Sequence, residues 1–121
     1  MRLRDYSYVY NAAAHFATVE KYPGAEGIYA ELKKGGVEAF EATCWALAEM
    51  ARQGELIRRH MGETPRETPD AETFALELRP RQIVAAQGIV MDAIRDGLSN
   101  KDDEDEVDEV LAELQKKTGA D

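Results

Sequence analysis

The sequence predicts an all-α fold: a small single-domain helical bundle, with an acidic tether and a further helix at its C-terminal end. Three observations predict it. Apolar residues recur every three to four positions in most of the chain, which is the period of a helix with one buried face. Strand-like alternation is confined to one stretch, Leu3–Tyr10. At 121 residues and 44% hydrophobic content, the chain is long enough for one modest core and too short for two ordinary domains.

The elements follow in order. Leu3–Tyr10 alternates Leu3, Asp5, Ser7 and Val9 with Arg4, Tyr6, Tyr8 and Tyr10. It fits a short strand, an extended lead-in or a helical stretch, and periodicity does not decide among them. A helix is expected from about Tyr10 or Asn11, a natural cap, to Tyr22, where Pro23-Gly24 stops it. Gly27–Lys34 reads as a short helix with Ile28 and Leu32 one turn apart, broken by Gly35-Gly36. The clearest helix runs from Val37 to about Arg52, with Val37, Phe40, Cys44, Leu47, Ala48 and Ala51 in one stripe and Gly54 closing it. A further turn over Glu55–Met61 is an option. Gly62–Asp70, GETPRETPD, is a loop, and Asp70 opens a short helix carrying Phe74, Leu76 and Leu78. Pro80 suits the first turn of a long helix whose expected apolar face is Ile83, Val84, Val90, Met91, Ile94 and Leu98. Gln87 lies within that face, and Gly97 with Ser99-Asn100 marks the end.

Composition changes at Asn100. Residues 100–121 hold nine acidic residues against three lysines, so they carry −6 of the chain's −9 net charge. Within them Val107, Val110, Leu111 and Leu114 recur at helical spacing, with acids before the stripe and Lys116-Lys117 after it, as the helix dipole favours. The expected division is therefore a helical domain over 1–99 and an acidic tether with an amphipathic helix over 100–121.

Charge and composition exclude several classes. Acidic proteins are repelled by phosphate backbones, and Arg58-Arg59, Arg66, Arg79 and Arg81 are too scattered to form a basic stripe, so no nucleic-acid partner is expected. A lone cysteine, no apolar leader and no apolar run near 20 residues predict a cytoplasmic protein without a disulfide, signal peptide or membrane span. Neither a metal nor a cofactor is expected. There is no Cys-x-x-Cys, no histidine pair, no phosphate-binding glycine loop, and the acids at 102–106 lack the spacing of a calcium loop. Cys44 falls on the apolar stripe beside Trp45 and reads as core, while His15 and His60 stand alone, so no nucleophile has a partner base and no enzyme is expected. Trp45, at the edge of its stripe, is a candidate partner anchor as well as a core cap. Val107, Val110, Leu111 and Leu114 are the other candidate partner-binding residues, docking either on their own domain or on another chain.

Four stretches together resemble the tail assembly chaperones of long-tailed phages and prophages of Gram-positive hosts. They are Tyr6–Tyr22, tyrosine-rich and then small-residue helical; Val37–Gly54, VEAFEATCWALAEMARQG; Leu78–Gly97, LRPRQIVAAQGIVMDAIRDG; and the acidic C-terminal tail. The resemblance covers most of the chain and rests on order and size, with no catalytic residues to carry over. It implies a non-catalytic protein that binds the tape-measure protein in the host cytoplasm, keeps its helices soluble and helps recruit tail-tube subunits, and is absent from the finished virion. Self-association is compatible with it. It also implies that a ribosomal frameshift near the gene's end can yield a longer product. The competing expectation from the residues is a small acidic adaptor that binds and masks another protein, for which the acidic tail is the favouring feature.

Overall fold

A computed structural model describes residues 1–99 and 112–114. Among them there is no strand, and the chain forms an all-α bundle. Its helices are α1 (Ala12–Lys21), α2 (Ile28–Lys34), α3 (Gly36–His60), α4 (Ala71–Glu77) and α5 (Ile83–Leu98). Two short 3-10 turns, Leu3–Asp5 and Pro80–Gln82, precede the extended N-terminal segment and α5 respectively.

Helix α3 is the spine. Its 25 residues span about 37 Å at 1.5 Å per residue, and α1, α2, α4 and α5 all pack on it. Ala42, Cys44, Ala46, Leu47 and Met50 supply its side of the core. Phe74 of α4, Val90 and Ile94 of α5 and Ala14 of α1 supply the rest. The buried hydroxyls of Thr18 and Thr43 donate to the carbonyls of Ala14 and Ala39, both at 2.7 Å, so neither is stranded in an apolar setting. Among the described residues no buried side-chain nitrogen or oxygen lacks a partner.

Helix starts follow local chemistry. Asn11 Oδ1 accepts the N–H of Ala14 at 3.0 Å and Asp70 Oδ1 that of Thr73 at 2.8 Å, each satisfying one of the open donors of a first turn. Asn11 also donates from Nδ2 to Gln53 Oε1 at 3.1 Å, which ties the start of α1 to the middle of α3. Between α2 and α3 only Gly35 intervenes, at φ +68°, followed by Gly36 at φ +60°. That left-handed pair turns the chain within one residue and lets α3 begin at once.

Three expectations change. Helix α3 does not stop at Arg52 or Gly54 but continues to His60, taking in the optional turn. Gly54 instead makes room for the N-terminal segment, since a Cβ there would lie 2.0 Å from the carbonyl oxygen of Ser7. Gly97, expected as a terminus, is likewise inside α5, where a Cβ would lie 2.2 Å from the carbonyl oxygen of Tyr10. The two glycines let Ser7–Tyr10 pass against α3 and α5 at backbone distance, and the N–H of Val9 donates to the carbonyl of Met50 at 3.1 Å. The segment is therefore the extended lead-in, not a strand. Finally, the buried face of α5 is Ala86, Val90, Ala93 and Ile94, while Val84 and Leu98 are 80% and 63% exposed. Small alanines allow close helix contact, and a pattern read from large apolar residues misses them.

Candidate functional site

Cys44 is buried in the core, and burial pushes its thiol above the ordinary range, since a thiolate would be poorly solvated there. His15 is half-buried, and its Nδ1 lies 2.8 Å from Tyr10 Oη, with the two rings edge to face. His60 is exposed at the end of α3. Cys44 is thus held apart from solvent, and neither histidine shares a hydrogen bond with it. Among the described residues no three metal-ligating side chains are grouped to hold an ion. No helix among them is long and apolar enough to cross a membrane.

The arginines of α3 and the following loop have a structural role that composition and spacing did not reveal. Glu55 is buried, and its carboxylate accepts the N–H of Arg66 at 2.7 Å and the guanidinium groups of Arg58 at 2.5 Å and Arg59 at 3.0 Å. The Arg66 N–H first, and then the two guanidiniums, hold its carboxyl well below the ordinary range, at about 2. Arg59 also donates to the carbonyl of Arg66 at 2.9 Å, so the loop after α3 is folded back onto the helix through one carboxylate. The only sequence signal was a glutamate three and four residues before two arginines.

Trp45, the first candidate anchor, is half-buried on α3. Its ring meets that of Tyr22 edge to face at 5.6 Å, which uses one side of it inside the molecule. Its other surroundings form a shallow cleft of about 300 Å³ with Ala48, Glu49 and Arg52 on α3 and Pro69, Asp70 and Ala71 opposite. Trp45 is therefore both a cap on the core and part of the wall of an open cleft. Of the second candidate group, Leu114 is 52% exposed, while Val107, Val110 and Leu111 lie outside the described residues.

A larger groove lies elsewhere and has no counterpart in the sequence pattern. It measures about 590 Å³ and runs between the N-terminal segment and α5. Leu3, Tyr6 and Tyr8 form one wall and Ala85, Gly88 and Ile89 the other, with Arg4 and Asp92 also lining it. Tyr8 Oη donates to the carbonyl of Leu3 at 2.9 Å, which fixes the tyrosine wall, and Tyr6 rests edge to face on buried Phe74 at 6.3 Å. Gln82 closes the structure at this end, donating from Nε2 to the carbonyl of Met1 at 2.7 Å and accepting the N–H of Arg79 at 3.0 Å. No sequence pattern foretells a groove whose walls are some 80 positions apart in the chain.

Further apolar side chains stand out from the helices: Phe16 on α1, Leu76 on α4, and Val84 and Leu98 on α5. Comparison with protein-family models, with curated proteins and with solved structures finds no match for this chain.

Proposed function

We propose that this chain is a non-catalytic tail assembly chaperone of a long-tailed phage or prophage, acting in the host cytoplasm. Its client is the tape-measure protein, with tail-tube subunits as later partners. The observation that carries this reading is the pairing of exposed apolar side chains on a helical frame with an acidic end. Phe16, Leu76, Val84 and Leu98 are presented on helices, and residues 100–121 hold two-thirds of the net charge. A chaperone for helical clients needs helical apolar surface to hold them and like charge to keep the loaded complex dispersed. The resemblance of the four stretches in order supports the same reading.

Co-expression with a tape-measure protein from the same phage or prophage is the test. The expected result is that the client moves from the insoluble to the soluble fraction and co-purifies with this chain. A client whose solubility does not change, with no complex recovered, overturns the reading. The adaptor reading draws on the acidic C-terminal segment alone, and it predicts capture of a basic regulatory protein in place of a long helical client.

A further inference from the structure

The loop between α3 and α4, residues 61–70, is fastened at three places, and the middle one depends on a single carboxylate. At its start the N–H groups of Met61, Gly62 and Glu63 donate to carbonyls of the last α3 turn at 3.0–3.2 Å. At its end Asp70 caps α4 on the N–H of Thr73, and α4 packs on α3. Between these ends, residues 64–69 make no backbone-to-backbone hydrogen bond among the described residues, and Pro65 and Pro69 have no N–H to give. Three bonds to side chains hold that stretch instead. Glu55 accepts the Arg66 N–H, Arg59 donates to the Arg66 carbonyl, and Arg58 donates to the Thr64 carbonyl at 3.4 Å. Both guanidiniums are themselves anchored on Glu55, so all three bonds depend on its carboxylate. Glu55 is buried, while residues 61–67 are all exposed.

The same stretch builds the cleft beside Trp45. Thr68, Pro69 and Asp70 form the wall that faces Trp45, Ala48 and Arg52 of α3 across about 300 Å³. Thr68 follows Arg66 by two residues, at most ~7 Å of chain, so a wall this close to its point of attachment follows it. On the helix side Glu49 pairs with Arg52 at 2.9 Å and accepts from Gln53 at 3.0 Å, which engages these polar groups within α3. Among the described residues no hydrogen bond or ion pair crosses the cleft. Polar bonds therefore place the wall only from its two ends, the Glu55 clasp and the Asp70 cap.

We infer that residues 61–70 are a strap latched by Glu55, which opens as a unit while the bundle stays folded and carries the far wall of the Trp45 cleft with it. None of these residues belongs to the core, so the strap can lift without opening the bundle. The carboxylate and guanidiniums that opening releases are rehydrated, which offsets part of the lost attraction between them. Lifting the strap widens access to Trp45 and Ala48 on α3. One carboxylate thus sets how much of this surface another molecule can reach, and Glu55 is a positioning residue for it. The strap is a property of this chain's own fold and holds whichever protein the chain binds.

The test compares the full native chain with Glu55→Gln. Trypsin cuts after Arg66 only when the strap leaves α3, because a protease needs several residues of free backbone. Trp45 is the chain's single tryptophan, so quenching of its emission by acrylamide reports on the cleft alone. A neutral amide holds the Arg66 N–H and the guanidiniums more weakly than a carboxylate. Glu55→Gln is therefore expected to be cut after Arg66 about tenfold faster, with mass spectrometry locating the first cut. Trp45 is expected to be quenched more strongly, with the far-ultraviolet circular dichroism of the bundle retained. An unchanged rate of cutting would overturn the inference, since the strap would not depend on the carboxylate. Faster cutting with unchanged quenching would overturn it too, since the cleft wall would then stay with α4. If Glu55→Gln unfolds outright, hydrogen exchange of the native chain decides. The Arg66 amide is then expected to exchange at least tenfold faster than those of Leu47 and Met50, at a rate that low urea barely changes. Exchange of all three at the rate of global unfolding would overturn the inference.

Discussion

Gly54 and Gly97 act from opposite sides on the same stretch of backbone, Ser7–Tyr10. With 2.0 Å and 2.2 Å between an added Cβ and a carbonyl oxygen, neither position has room for alanine unless the extended segment moves. Gly54→Ala is therefore expected to cost about 3 kcal/mol in urea unfolding, as overpacking of a rigid site does. Gly88→Ala is expected to do the reverse and stabilise by about 1 kcal/mol, because the new methyl meets open space and the helix loses its weakest residue. All three glycines were visible in the sequence, but nothing there separated their roles. Gly54 and Gly97 read as helix stops because helices commonly end at glycine, whereas the close approach that requires them comes from residues more than 40 positions away. Cys44 was legible, since its place on the stripe predicted burial. In the native chain it is expected to resist a thiol reagent at neutral pH and to react fully once the protein is unfolded, as followed by mass spectrometry.

At the scale of elements, caps and breakers told the most. Asn11, Asp70 and Gly35-Gly36 mark boundaries by local chemistry, and the helices begin beside them. Asn11→Ala is expected to cost about 1 kcal/mol, by loss of the cap on Ala14 and of the bond to Gln53, read as a lower melting temperature. The full length of α3 was not legible, because its last two turns are held from outside by the returning Arg66, whose N–H donates to Glu55 and whose carbonyl accepts from Arg59. The Glu55 cluster has a pH signature. The Glu55 carboxyl lies at about 2 in the fold against an ordinary 4.5, so its contribution to stability is complete above pH 4.5 and is lost as pH falls toward 2. The native chain is expected to lose stability across that window, and Glu55→Gln to be less stable at pH 7 with a shallower acid loss. Urea midpoints at pH 7, 4 and 3 distinguish the two slopes.

For the whole molecule, periodicity and composition were enough to predict an all-α bundle, and the helices from Ala12 to Leu98 form one. Surfaces were less legible. Trp45 was found because an aromatic at a stripe edge is visible in one dimension, yet its ring already meets Tyr22 edge to face inside the molecule. The groove over Gly88 was invisible because one wall comes from residues 3–8 and the other from 85–92, joined only when Gln82 reaches Met1. The exposed apolar side chains are distinct from the core because α5 turns Ala86 and Ala93 inward and leaves Val84 outside. These surfaces give the molecule its proposed role: a helical frame that offers apolar side chains to another helical protein, with acidic charge at its C-terminal end. Sedimentation velocity of this chain mixed with a soluble helical fragment of the tape-measure protein tests that role most directly. The account predicts a faster-sedimenting complex containing both chains, while two boundaries that sediment as they do separately would contradict it.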